Sequence, residues 1–188
     1  MNRILLHCCC GPCATYTVNR LREGGFEVTG FWYNPNIHPF TEHQSRLEAI
    51  RTLAKSMELP LIVAEGYDMI EYFRAVTGHE GERCGDCFRL RLSKTAEVAR
   101  EKGFSAFTTT LLISPYQKHE LLRAVGETVA KEQGVTFYYE DFRSGFRESH
   151  QLSRELNLYH QKYCGCVYSE WERYGKADIA RILGGDEK

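Results

Sequence analysis

The stretch RILLHCCCGPCATYTVNRLREGG, residues 3–25, decides the fold. Arg3 to His7 is an apolar run of strand length, and Ala14 to Glu23 reads as a helix stopped by Gly24 and Gly25. Cys8, Cys9, Cys10 and Cys13 lie between them, with Gly11 and Pro12. A strand passing through a tight turn into a helix opens a βαβ unit. Parallel sheets of this kind bind ligands beyond the carboxyl ends of their strands, which is where these cysteines fall.

Outward from this stretch the alternation continues. Phe26 to Tyr33 is a second strand ending at the breakers Asn34, Pro35 and Asn36. Thr41, with Gln44 three residues on, has the form of a capping box opening a helix through Leu47, Ile50, Leu53, Ala54 and Met57. Leu61 to Ala64 is a third strand, and Asp68 with Glu71 suits the start of a short helix. A helix is expected from about Phe88 to Lys102, a strand over Phe104 to Thr110, a helix over Tyr116 to Glu132 and a strand over Val135 to Glu140. From Ser149 onward the pattern is helical and polar. The expected fold class is α/β, a Rossmann-like, mainly parallel sheet of about five strands flanked by helices, with a helical C-terminal segment. No repeat or linker interrupts it, so one domain spanning 1–188 is expected. The segments after the first, second, fourth and fifth strands then converge on one edge of the sheet.

The chain has 188 residues, 26% of them charged and 43% hydrophobic, and a formal net charge of -1. The near-neutral charge gives no global sign of a nucleic-acid partner. Before the first cysteines only a few apolar residues follow Met1, Asn2 and Arg3, too few for a secretory signal, and no apolar run is long enough to cross a bilayer. A cytoplasmic location without membrane contact is expected. In that compartment thiols stay reduced, which disfavours a static disulfide framework.

All eight cysteines fall in three knots: Cys8, Cys9, Cys10 and Cys13; Cys84 and Cys87; Cys164 and Cys166. Such clustering points to chemistry at sulfur. Cys84 and Cys87 form a CxxC pair near a helix N-terminus, where amide groups and the dipole favour thiolate. Paired with the first knot, they suit an iron–sulfur cluster; structural zinc uses similar turns but leaves no surplus of four. A thioredoxin-like pair is the third reading, although that motif lacks three tandem cysteines. Cys164 and Cys166, separated by Gly165, suit either a strained, readily reduced disulfide or metal ligation.

Other residues at the sheet edge have both functional and structural readings. Asp141 is the candidate acid or outer ligand, lying beside Arg143; an N-cap or an ion pair with Arg143 also accounts for it. Tyr33, Asn34 and Asn36 suit a nucleoside pocket, although an Asn-Pro-Asn turn needs no ligand. Ser114, Tyr116 and Gln117 share that ambiguity. Arg83, Arg143, Arg147 and Lys162 suit RNA phosphates or a solvated face.

Taken in order along nearly the whole chain, HCCCGPC, YNPNIHP, RCGDCFRLRL, TTTLLISPYQ, DFRSGF and YCGCVYSE resemble the QueH family. The resemblance implies an iron–sulfur enzyme that reduces epoxyqueuosine in tRNA to queuosine, the last step of queuosine biosynthesis. By motif it places the [4Fe–4S] ligands at Cys9, Cys10, Cys84 and Cys87 and a redox-active pair at Cys164 and Cys166. Cys13 matches the family pattern and is a further candidate ligand, while Cys8 departs from it. Removal of an epoxide oxygen takes two electrons, whereas such a cluster ordinarily passes one at a time, so a thiol pair or a second metal ion (iron) is expected as well. The implied partners are tRNA carrying epoxyqueuosine and an electron donor that the sequence does not identify. The contrasting function class is a zinc-stabilised nucleotide- or tRNA-binding module, weakened by the lack of a GxGxxG fingerprint or a Walker A lysine.

Overall fold

The structure is a computed structural model in which residues 2–175 are described. Its centre is β1, Asn2–His7, whose Ile4, Leu5 and Leu6 are completely buried. A strand buried on both faces needs such a continuous apolar run. It pairs in parallel with β2, Phe26–Trp32, on one side and with β4, Ala106–Thr109, on the other. β3, Leu61–Val63, lies outside β2, and β5, Thr136–Phe137, outside β4. The order β3-β2-β1-β4-β5 is parallel throughout, which is the expected α/β architecture. Between β1 and β4 the connections reverse direction, and that switch point is where such sheets open a crevice.

Seven α-helices flank the sheet among the described residues. α1, Gly11–Glu23, packs on α2, Phe40–Ser56, and on α6, Phe146–Glu155. α4, Arg83–Glu101, packs on α3, Met69–Val76, and on α5, His119–Gln133. α7, Val167–Tyr174, follows an irregular segment, 156–166, so the expected C-terminal helical region is two helices separated by a strap. Residues 176–188 of that expectation lie outside the described residues.

Several boundaries move for physical reasons. α1 starts at Gly11 rather than Ala14, because the Cys10 side chain caps it and Pro12, with its preset φ, fits the first turn. α2 starts at Phe40 after Pro39, whose carbonyl accepts from Glu42 and His43. Thr41 is therefore inside the helix and forms no capping box. α4 starts at Arg83, so Cys84 and Cys87 lie within its first turns rather than ahead of it. α5 begins at His119, after a 3-10 turn at Thr110–Ile113 and an irregular stretch. The fifth strand shrinks to two residues, although Tyr138 still donates to the Phe107 carbonyl.

Candidate metal and thiol centre

The carboxyl ends of β1 and β4 build the first half of the site. The Cys8 amide continues the ladder to Phe31, while the Cys9 amide turns away to the Thr110 hydroxyl at 3.0 Å. Gly11 follows because a Cβ there would lie 2.9 Å from the Ala49 carbonyl oxygen of α2. The outcome is a cluster of sulfurs: Cys9, Cys10 and Cys13 present Sγ atoms all within 4.8 Å of one another. Cys8 is excluded from it. Its completely buried thiol donates to the Leu6 carbonyl at 3.3 Å, and burial pushes its pKa far up, so it behaves as a small core residue.

The three clustered thiols share their protons unequally. Hydrogen bonds from Cys10, Cys13 and Thr110 draw the Cys9 pKa well down. Burial pushes Cys10 up, and donation to Cys10 and Cys9 holds the proton on Cys13. One thiolate with two protonated neighbours is the arrangement a thiophilic metal ion or cluster displaces by taking the protons' place. The Cys13 amide and the Gln161 side-chain amide both donate to Cys10 Sγ, at 3.4 and 3.1 Å. Gln161 Oε1 is buried without a partner. This donor set fits a thiolate-bound metal or iron–sulfur group on geometry and on chemistry. His7, which precedes the cysteines, is not a ligand: its two nitrogens contact Thr109 Oγ1 and the Tyr33 carbonyl, and burial lowers its pKa to about 4, so it is neutral.

The second half comes from α4 and the strap. Cys84 is packed against the main core, whereas Cys87 belongs to a smaller cluster with Tyr72, Val76 and Cys166. Burial raises Cys87 to about 12, with Arg91 acting in the opposite sense. The structure thus gathers Cys13, rather than Cys84 or Cys87, with Cys9 and Cys10, and places Cys87 beside the CGC pair.

Cys164 and Cys166 are free thiols on a segment clamped from below. Arg46, 2% exposed, donates from Nη1 to the Cys164 carbonyl at 2.9 Å and from Nη2 to the Tyr163 carbonyl at 3.0 Å. Its Nε is paired with Glu42 at 2.7 Å, and Glu42 also accepts from the Tyr159 hydroxyl. The Tyr163 hydroxyl donates to the His38 carbonyl, and the His38 amide donates to the Gly165 carbonyl. Gly165 has φ 147°, a conformation side chains rarely adopt. The pair is unequal. Burial alone would raise Cys166, but the Ser169 hydroxyl, Tyr72, the Ser169 amide and Arg83 outweigh it and the net direction is down. Cys164, an exposed residue, is raised by desolvation of its thiol, with Arg91 and the Gln117 amide at 3.4 Å opposing.

The remaining candidates divide. Tyr33, Asn34 and Asn36 are buried beside this centre; Asn34 donates to the Cys8 carbonyl, and the Oδ1 atoms of both asparagines have no partner. Gln117 touches Cys164, and its neighbour Tyr116 is 85% exposed against the edge of Phe146. Ser114 accepts from His119 and from the Tyr116 amide. Arg83 is paired with Glu172, while Arg147 and Lys162 are exposed. Asp141 caps a 3-10 turn and is bound to Arg143 through both carboxylate oxygens, which holds its pKa down at about 2. Asp141 is thus a carboxylate paired with Arg143, the arrangement expected for it beside the reading as acid or outer ligand. Arg46, Arg91 and Gln161 were not legible as site residues, although Arg91 lies one helical turn beyond Cys87, a spacing that puts both on one helix face.

Comparison with known proteins follows the same outline. The family model described as Epoxyqueuosine reductase QueH matches residues 4–172. The chain is 48% identical over 174 residues to Epoxyqueuosine reductase QueH of Dehalococcoides mccartyi, covering 93% of this chain and 96% of that protein. It is 36% identical over 194 residues to the protein of the same name from Thermotoga maritima, covering 98% and 99%. Among solved structures, a predicted subunit of a tRNA methyltransferase from Methanocaldococcus jannaschii aligns with TM-score 0.55 at 12% identity, over 82% of this chain and 75% of that one, a likeness of fold alone.

Proposed function

The chain belongs to the QueH family of epoxyqueuosine reductases, oxidoreductases of queuosine biosynthesis, and from that premise we propose that its clustered thiols carry the reduction of epoxyqueuosine in tRNA. The observation that carries the reading is the triad of Cys9, Cys10 and Cys13 at the sheet's switch point, touched through Gln161 by the strap that bears Cys164 and Cys166.

In this reading Cys9 and Cys10, with Cys84 and Cys87 from α4, hold a [4Fe–4S] cluster, and Cys13 is the further candidate ligand. Bound there, the cluster supplies electrons one at a time. The substrate step consumes two electrons and two protons: both C–O bonds of the epoxide break, an alkene forms and water leaves. Oxidation of Cys164 and Cys166 from dithiol to disulfide releases two electrons and two protons, so the pair balances the step on its own; a second bound iron is the alternative store. Cys166, with its lowered pKa at the N-cap of α7, is the more nucleophilic partner. A disulfide across one intervening residue is strained and hence readily reduced again by an external donor.

The nucleoside is held by Tyr33, Asn34 and Asn36, whose unpartnered amide oxygens accept from its N–H and O–H groups, and by Tyr116 and Gln117 at the open edge. Arg143 and the exposed Arg147 and Lys162 face the RNA backbone. One domain spanning 1–188 and a cytoplasmic location belong to the same proposal. No helix among the described residues is long and apolar enough to cross a membrane.

The test is anaerobic purification followed by turnover on tRNA carrying epoxyqueuosine, with nucleoside analysis. The expected protein is brown, with about four irons per chain. Cys164→Ser and Cys166→Ser should keep the colour and lose turnover. A colourless, zinc-loaded protein with full activity would refute the iron–sulfur assignment and favour a zinc-stabilised module.

A further inference from the structure

Two arginines in this fold are 2% exposed, and they are treated differently. Arg46 has a carboxylate and two carbonyls. Arg91 has one backbone contact, from Nε to the Cys87 carbonyl at 3.3 Å, with its guanidinium 5.9 Å from the Phe88 ring centre. Its Nη2 is buried with no partner, and no carboxylate among the described residues forms an ion pair with it. A buried guanidinium with so few partners is strongly unfavourable unless something anionic compensates it. The ionisable groups that would act on it most once deprotonated, as they are when they ligate a metal, are Cys87, Cys164 and Cys9, which belong to the two separate thiol neighbourhoods. Arg91 therefore sits where both act on it. The other buried base there, His7, is neutral, and Arg91 itself helps to keep it so.

Resting on the iron–sulfur reading above, we propose that Arg91 is a positioning residue, the fixed counter-charge of the thiolate-bound centre, and that it raises the centre's reduction potential. A thiolate-ligated cluster gains one negative charge on reduction. A cation fixed in a dry, low-dielectric surrounding stabilises that extra charge more than water would. Arg91 donates no proton and transfers no group; it favours the reduced form.

Arg91→Met keeps length and removes charge, whereas Arg91→Lys keeps charge. Both variants are purified anaerobically and read for iron content, for midpoint potential by spectroelectrochemical titration and for urea unfolding of the metal-free protein. Arg91→Met is expected to hold iron with its reduced-to-oxidised ratio at fixed poise lowered at least tenfold, about 59 mV for a one-electron couple. Arg91→Lys is expected to stay within half that shift. Iron lost in Arg91→Met and kept in Arg91→Lys, at equal metal-free stability, supports the same conclusion, because charge is then needed for assembly. An unchanged midpoint in iron-loaded Arg91→Met overturns it. Equal defects in both variants, in iron content, potential or folding, also overturn it, since shape rather than charge is then required. Wild-type protein that takes up no iron defeats the underlying reading and this inference together, and is seen before any variant is made.

Discussion

In the turn after β1 the sulfurs are fixed from within the sheet; in the strap 156–166 they are fixed chiefly by side chains from α2, with Tyr163 and His38 beside them. Cys8 and Cys9 extend the strand's own hydrogen bonding to Phe31 and Thr110, and Cys10 caps the helix that follows. Cys164 and Gly165 have no such ladder and depend on Arg46, Glu42, Tyr163 and His38. The contrast teaches that the triad rests on backbone pairing that continues the core, whereas the CGC pair rests on one buried ion pair and the hydrogen bonds around it. In the proposed reading, a thiol pair that changes its bonding each turnover suits the second kind of support, and a metal site suits the first.

Cutting the clamp should separate the two regions most. Arg46→Met leaves Glu42 buried without its partner and frees the Tyr163 and Cys164 carbonyls, a loss of about 3–5 kcal/mol expected for a broken buried pair. Urea unfolding measures it, and adding Glu42→Gln should restore part of the loss. If Arg46→Met unfolds at the wild-type midpoint, the clamp is not what holds the strap.

The turn should be broken instead by volume. Gly11→Ala drives a Cβ to 2.9 Å from the Ala49 carbonyl oxygen and 3.2 Å from its Cβ, so α1 and α2 must part. Overpacking of this kind costs about 1–3 kcal/mol. The triad should loosen with it, read as faster alkylation of Cys10 and Cys13 in the metal-free protein. Wild-type stability together with wild-type alkylation would show that the turn is not packed as tightly as described.

These supports were unequally legible in the sequence. The order of strands and helices followed from RILLH, FEVTGFWY and the glycine stops, because a parallel core demands apolar runs and a helix end demands a left-handed residue. The turn was legible for the same reason: a strand must end before a helix begins. Neither buried arginine was, since in RLRL and SRLEA an arginine looks like any solvated helix residue until tertiary packing closes over it. The capping box at Thr41 failed because Pro39 had already set the backbone, whereas the pairing of Asp141 with Arg143 was legible because the two lie only two residues apart. The grouping of Cys13 with Cys9 and Cys10 follows from Cys13 lying one turn inside α1, a helix read as beginning only at Ala14.

Acid should act on both regions at once. His7 lies under the turn and His38 under the strap, and burial holds each near a pKa of about 4 from an ordinary 6.5. The folded protein takes up these protons only near pH 4, while the unfolded chain takes them up near 6.5. Stability is therefore full above pH 6.5 and falls as pH drops toward 4, by about 1.4 kcal/mol per pH unit for each histidine. Unfolding curves at pH 7.5, 6, 5 and 4.5 (about these values, spanning the two pKa limits) check the slope. His38→Gln should flatten it by one proton's share, and a pH-independent midpoint would contradict the burial of both rings.

The smallest effect is expected at the second glycine held between cysteines, and its sign is the informative part. Gly85 lies between Cys84 and Cys87 in α4, where an added Cβ would meet nothing closer than the Leu121 methyls at 3.9 Å. Alanine is preferred to glycine within a helix by about 0.5–1 kcal/mol, so Gly85→Ala should stabilise the metal-free protein slightly, the reverse of Gly11→Ala. The same pair of glycines then reports on the centre. If the CxxC turn of α4 closes over iron as a rigid helix, Gly85→Ala keeps full iron content along with its gain in stability. If iron content falls while metal-free stability rises, the first turn of α4 must unwind to bring Cys84 and Cys87 toward Cys9 and Cys10, and the separation of the two thiol neighbourhoods belongs to the metal-free state alone.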